Sequence, residues 1–198
     1  MVPRFGRTER ALHWVHATGF FAMLASGLVL YLPALSELVA RRNLVKNVHI
    51  FTALTWAVAI CLVVALGDRR RLASDWREIE ALDRDDRRWL RGGRAAQGRF
   101  IAGQKVNALV TAAFAVLFAL SGFFLWLGER DHRFLFEGTG TVHETLTLVS
   151  VALVSGHLYL ALIHPTTRHA LRGMTLGEVR EDWAREHHSK WLEERRGL

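Results

Sequence analysis

Six of the chain's ten histidines, His13, His16, His49, His143, His157 and His164, stand in or at the edges of long stretches without charge. An imidazole there can ligate a metal, carry a proton near neutral pH, or hydrogen-bond across helices. Taken singly, each also reads as a polar residue at a helix end. Inside a membrane span, however, imidazole is costly and rare, which makes it a functional candidate by default. Spacing adds to this. His157 follows His143 by 14 residues, a helical rise of about 21 Å with a net rotation of about 40°. The two therefore lie on one face, near opposite ends of one helix. A zinc site would require ligands converging at one depth, with cysteine or carboxylate among them. Proton-relay histidines would come with buried Asp or Glu, and only Glu144 stands in a span, at its rim.

The segments that must position these residues are marked by where charge is missing. No charged residue occurs between Ala11 and Ser36, Asn47 and Gly67, Val106 and Gly128, or Thr145 and Thr167. Each run reaches the roughly 20 residues needed to cross a hydrocarbon core. The expected fold is an all-α integral membrane four-helix bundle, one domain over residues 1–198, with helices at 11–32, 48–66, 106–127 and 142–164. Pro33 and Pro165 stand just past the first and last, where proline is expected. The first run is too long, and too close to a second span, to read as a cleaved signal peptide. The single cysteine, Cys61, cannot build an iron–sulfur cluster, and no CxxCH is present for covalent haem.

The net charge of +7 reads as topology rather than nucleic-acid binding. The N-terminal arm, the loop 68–105 and the tail 165–198 hold 21 of the 26 Lys and Arg residues, and the two opposite connections hold five. The positive-inside rule then places both termini, the loop and the tail in the cytoplasm. Leu72, Trp76, Ile79 and Leu82 predict an amphipathic helix on the membrane surface within the loop. Leu176, Val179 and Trp183 repeat that pattern in the tail, as a surface that could dock on a partner subunit.

With this orientation His49 and His143 fall at the outer ends of their helices, while His157, His13 and His16 fall in the cytoplasmic half. The depths define an outer pair, His49 with His143, and an inner pair, His157 with His13 or His16. Two bis-imidazole sites stacked across a bundle suit two non-covalent b haems, each iron taking axial nitrogens from different helices. Arg4, Arg7, Arg10 and Arg168 lie at the inner level and are candidates to pair with propionates, besides serving as positive-inside residues. A short internal repeat accompanies the histidines: Ala25-Ser-Gly-Leu-Val-Leu-Tyr31 echoes Leu120-Ser-Gly-Phe-Phe-Leu-Trp126, and Val48-His49 echoes Val142-His143. The chain then reads as two related hairpins, and the Ser-Gly pairs as places of close helix contact or room for a bulky group.

Arg10-Ala-Leu-His-Trp14, Val48-His49, Ala102-Gly-Gln-Lys105, His143, His157, Arg172-Gly-Met174 and Glu186-His-His-Ser-Lys-Trp191 carry a resemblance over nearly the whole chain. The chain resembles the gamma subunit of respiratory formate dehydrogenases, the membrane-embedded di-haem cytochrome b. The resemblance implies the ligand pairs His49/His143 for the outer haem and His13/His157 for the cytoplasmic one. It further implies quinone (menaquinone or ubiquinone) reduction beside the inner haem, near Gly103, Gln104, Lys105 and His157. An iron–sulfur beta subunit and a molybdenum or tungsten catalytic alpha subunit would deliver electrons from the outer face of a bacterial inner membrane, in anaerobic respiration. By that likeness the chain belongs to an enzyme complex without itself acting on formate. One departure stands out: the family commonly has Asn before Ala-Gly-Gln-Lys, and here Ile101 cannot donate a side-chain hydrogen bond to the quinone. The di-haem subunit of a membrane-bound hydrogenase or of another molybdenum oxidoreductase is the nearest alternative. A haem-free membrane scaffold or a proton-relay transporter is the alternative from another class.

Overall fold

The computed structural model describes residues 1–197. In chain order it runs β1 (Val2–Pro3), α1 (Arg7–Tyr31), α2 (Pro33–Val39), α3 (Arg42–Leu66), α4 (Arg69–Glu80), α5 (Arg84–Leu90) and α6 (Ala102–Gly128). There follow α7 (Thr139–Leu158), continued by a π-helical turn over Tyr159–Ile163, then α8 (Leu171–Thr175), β2 (Glu178–Val179), α9 (Glu181–His187) and α10 (Ser189–Arg196). Among the described residues, four helices are long and apolar enough to cross a membrane: α1, α3, α6, and α7 with its π turn. The all-α membrane class expected from the sequence is borne out.

The spans start earlier than the expected helices, α3 by six residues and α6 by four. A helix of 25 residues is about 38 Å long, against a hydrocarbon core of about 30 Å. The surplus turns carry polar and charged residues, such as Arg42 and Lys46, that a count of apolar residues leaves out.

By internal packing the chain divides into two units, Phe5–Leu72 and Met1–Arg4 with the segment from Ala73 onward. In the first unit α1 packs along α3. Gly19 makes the close approach possible, since a Cβ there would run into the Trp56 side chain. Pro33, lacking an N–H, opens α2 at the first helical position, where none is required. The Arg42 guanidinium caps the end of α1 by donating to Leu30 O at 2.7 Å. The other end of this hairpin is tied through Glu9, which accepts from Gly6 N at 2.9 Å and from Arg71 Nε at 2.6 Å. Thr8 Oγ1 accepts from Asp68 N at 3.0 Å.

In the second unit α6 packs along α7, with Gly138 in the left-handed region (φ 82°) turning the chain into α7. Its polar end is a compact cap made by the loop, the tail and the first residues. Val179, Trp183, Ala184, Trp191 and Leu192 form a buried cluster, with Val2 and Ala170 packed on it. Strand β2 pairs antiparallel with β1, Val2 opposite Val179. His188, 1% exposed, is 2.7 Å from Gly98 O through Nδ1. Burial and the neighbouring Arg4 cation push its pKa down to about 3, so it is neutral in this core.

The expected amphipathic tail helix is not formed. Leu176 ends α8, Gly177 adopts φ 86° and breaks the helix, Val179 is in the strand pair, and Trp183 lies on α9. The three apolar residues share a helical spacing but not a helix, because β1 offers Val179 a ladder partner more than 170 positions away. In the loop, α4 carries Leu72, Trp76 and Ile79 as expected. Leu82 falls beyond its end, and Asp83 starts the separate helix α5 through reciprocal bonds with Asp86, at 2.8 and 3.1 Å.

Candidate functional site

The repeat in the sequence is a repeat in the contacts of the two hairpins. In the first, Ser26 of α1 faces His49 of α3, with Oγ 2.9 Å from Nδ1. In the second, Ser121 of α6 faces His143 of α7 at 2.8 Å, through the same atoms. The following glycines match as well: a Cβ added to Gly27 or Gly122 would lie 3.5 Å from Cε1 and 3.9 Å from Nδ1 of its histidine. Each serine also reaches back to its own helix, Ser26 to Ala22 O at 2.9 Å and Ser121 to Leu117 O at 2.7 Å. Phe118 meets the His143 ring edge-on at 5.2 Å. Both imidazoles are thus held by Nδ1 in a notch of two small residues, so that Nε2 is the ring nitrogen turned away from the serine. The Ser-Gly echo was legible in the sequence, but that the serines touch the histidines was not. The matching spacings, Gly27 to His49 by 22 positions and Gly122 to His143 by 21, were the signal that could have found it.

His13 and His16 both lie on α1, within one turn. His16 is packed inside its own hairpin, 5.7 Å from the Trp56 ring and 6.5 Å from Phe20 between centroids. His13 meets Trp14 edge-on at 5.2 Å. His157 lies near the end of α7, two residues before the π turn, and such turns inside helices recur at functional sites. His164 follows the π turn, its N–H donating to Tyr159 O at 2.9 Å. Replacing His16 by Ala is expected to leave both b-type spectral components in place. Loss of the inner one in that variant, with His13→Ala retaining it, would reverse the assignment.

Of the residues expected near quinone, Gly103, Gln104 and Lys105 are engaged at the start of α6, and His157 stands on α7. Gly103 lies against the Trp89 ring, where a Cβ would come within 3.1 Å of Cη2. Gln104 Oε1 accepts from Arg4 Nη2 at 3.0 Å and from Ile101 N at 3.3 Å. Lys105, 6% exposed, donates from Nζ to Asp86 Oδ2 at 2.7 Å and to Ala81 O at 3.0 Å. Ile101 occupies the N-cap position without a side chain able to cap. Gln97 compensates: buried, it accepts from Ala102 N at 2.9 Å through Oε1. The missing polar residue at 101 is thus replaced, for holding the helix start, from four positions upstream.

Of the propionate candidates, Arg4 is buried, donates to Arg99 O at 2.7 Å and stacks 5.7 Å from the Trp183 ring. Burial, with the like charge of Arg99, pushes its pKa down to about 9. Arg10 donates from Nε to Gly6 O at 3.3 Å, and Arg168 begins the short 3-10 turn Arg168–Ala170. Arg4 is therefore built into the polar cap, whereas Arg10 and Arg168 stand at the ends of spanning segments.

Four apolar spans with histidines set in small-residue notches define a class, the membrane b-type cytochromes, and comparison agrees. Residues 4–177 match the prokaryotic cytochrome b561 family, and the chain belongs to it. Among curated proteins it is similar to the cytochrome b556(fdo) subunit of formate dehydrogenase of Escherichia coli K12, 23% identical over 98% of this chain and 92% of that one. It is also similar to the cytochrome b556(Fdn) subunit of the nitrate-inducible formate dehydrogenase of the same strain, at 21% over 98% and 91%. The cytochrome b556 subunit of formate dehydrogenase of Haemophilus influenzae is 21% identical over 98% of this chain and 83% of its own length. The chain is thus a multi-pass bacterial membrane protein, a cytochrome b electron-transfer subunit, and its family implies haem b.

The residues fit that group. Among the described residues no three His, Cys, Asp or Glu side chains gather into a chelating cluster. Haem iron needs none, since the macrocycle supplies four nitrogens and the protein only the axial ones. His49 and His143 each engage Nδ1 with a neutral hydroxyl, which suits ligation through Nε2. Gly27 and Gly122 keep the Cε1 edge of each ring clear of side-chain bulk.

Proposed function

We propose that this chain is the membrane-anchor subunit of a respiratory formate dehydrogenase, taking electrons from an iron–sulfur subunit on the outer face and delivering them to membrane quinone on the cytoplasmic side. The observation that carries the reading is the matched pair of Ser-Gly notches holding His49 and His143. Two b haems, when bound, supply one-electron transfer across the membrane. His49 and His143 would hold the outer haem, and His13 and His157 the inner one. His13 is preferred to His16 because His16 is stacked inside its own hairpin against Trp56 and Phe20. The excess of Lys and Arg in the arm, loop and tail keeps these segments and both termini in the cytoplasm of a bacterial inner-membrane protein. The catalytic molybdenum or tungsten subunit is the partner that oxidises formate, and the relatives named as formate dehydrogenase subunits favour this complex.

Gly103, Gln104, Lys105 and His157 form the proposed quinone site. The Trp89 ring lies against Gly103 and offers a flat apolar surface suited to a quinone ring. Lys105 commits two N–H groups to Asp86 and Ala81, and its third is a donor for a quinone carbonyl. Gln104 holds the start of α6 by accepting with Oε1 and keeps its amide N–H groups as donors. Protons taken from the cytoplasm at this end would make turnover build a potential without a proton channel. Gln104→Ala is expected to lower formate-to-quinone activity of the complex roughly tenfold, the scale of about 1.4 kcal/mol, while dye-linked formate oxidation and both haem spectra persist. Normal quinone turnover in this variant, with a quinone-site inhibitor perturbing the outer haem instead, would place the site on the other face and reverse the direction of electron flow.

A further inference from the structure

Beyond the ligands themselves, the structure holds a device that acts on both of them alike. Ser26 Oγ lies within hydrogen-bonding distance of two helix carbonyls, Ala22 O at 2.9 Å and Met23 O at 3.1 Å, and of His49 Nδ1 at 2.9 Å. Ser121 Oγ has Leu117 O at 2.7 Å, Phe118 O at 3.3 Å and His143 Nδ1 at 2.8 Å. A hydroxyl has one proton to give. Carbonyls can only accept, so that proton goes to the helix backbone and Oγ turns its lone pair to the imidazole. Nδ1 must then carry the ring proton. Each chain of bonds then runs from imidazole N–H to hydroxyl to carbonyl, with the lone pair on Nε2, and for His49 a backbone hydrogen bond with Met23 favours the same tautomer.

We propose that Ser26 and Ser121 are positioning residues for the outer haem: through this relay they lock the tautomer of His49 and His143 and raise the electron donation of both axial ligands. The proposal rests on His49 and His143 ligating one haem. An acceptor on the far nitrogen of a ligating imidazole makes the ring a more basic ligand, which favours ferric over ferrous iron. The hydroxyl is itself strengthened as an acceptor because it donates onward to a carbonyl. Removing either serine weakens the donation of one axial ligand and also takes a dipole from beside the iron. Both effects favour the reduced state. Because the two hairpins repeat the same contacts, the effects of the two serines are expected to add.

Serines that bond back to their own helix are common, and this one bond alone would carry no such effect. Ser155 of α7 supplies the comparison, since it donates to Val151 O at 2.7 Å without contacting either outer ligand.

The test is a potentiometric titration of the b-type components in the purified complex, with haem content measured in parallel, for Ser26→Ala, Ser121→Ala, the double variant, Ser26→Thr and Ser155→Ala. The expected result is a shift of the outer component to more positive potential, about tenfold in its oxidised-to-reduced ratio per serine, or about 59 mV for one electron. The double variant should shift about twice as far. Ser26→Thr keeps the hydroxyl and should stay close to the wild-type potential, Ser155→Ala should leave the outer component in place, and no serine variant should move the inner one. Loss of the outer haem in Ser26→Ala but not in Ser26→Thr would also support the hydroxyl's role. An unmoved outer potential in the double variant with both haems retained overturns the proposal, as does loss of the outer haem in Ser26→Ala and Ser26→Thr alike, which would assign the position to packing. Survival of the outer component in a His49→Ala complex would instead overturn the ligand assignment, and so separates the two failures.

Discussion

His49→Ala and His143→Ala are each expected to abolish the same b-type component, the outer one, and to leave the other titrating as before. Each change removes a nitrogen that no neighbouring residue of its notch can replace, because Ser26 and Ser121 are poor ligands for haem iron and Gly27 and Gly122 have no side chain. A haem held by one axial imidazole also loses the low-spin six-coordinate state, so the loss shows in the α band even where some porphyrin stays bound. The equivalence of the two variants follows from the equivalence of the notches, with the same atoms at 2.9 and 2.8 Å. Redox titration of membranes from the two variants decides it. Should they lose different components, the pairing is wrong, and each histidine belongs with another partner.

The second large effect is on stability. Lys105→Ala is expected to destabilise the second unit by about 3–5 kcal/mol, the usual cost of stranding one member of a buried ion pair. The pair is well enclosed, with side chains 7% and 4% exposed, and its partners are 2.7 Å apart. It ties the start of α6 to α5, and Asp86 also accepts from Asp83 N in the cap of α5. Removing the ammonium leaves the carboxylate without its counter-ion and frees both attachments. Replacing the pair by neutral hydrogen-bonding residues, Lys105→Gln with Asp86→Asn, should recover most of the loss, since no lone charge is left buried. The double variant also separates two roles of Lys105. Stability regained with quinone activity still low is the result expected if its third N–H serves the quinone. Recovery of both would confine Lys105 to holding the helix. Thermal unfolding in detergent, followed alongside quinone-linked activity, reads both outcomes.

What could be read from the sequence divides along a physical line. The spans were legible because hydrocarbon demands an unbroken apolar stretch, a signal local to each segment. Their starts were not, since the helices run past the hydrocarbon into charged turns at Arg7 and Arg42. The tail misled for the opposite reason. Leu176, Val179 and Trp183 have a helical period, but Val179 is held by Val2 at the other end of the chain, and no local pattern records a partner so distant. In the site, the histidines announced themselves by type and the repeat by echo. The contact of Ser26 with His49 stayed hidden because a Ser-Gly pair in an apolar helix has an equally good reading as plain close packing. Gln97 was silent in the same way. Its role, capping α6 where Ile101 cannot, becomes visible only once the chain has turned back on itself.

The proposed electron path depends on four histidines holding two non-covalent b haems. A pyridine haemochrome assay on the purified complex, with protein quantified by amino-acid analysis and the prosthetic group extracted into acid–acetone, tests it most directly. Two haem b per copy of this chain, fully extractable, is the expected result. A single haem per chain, none, or haem that stays with the protein after extraction would contradict it.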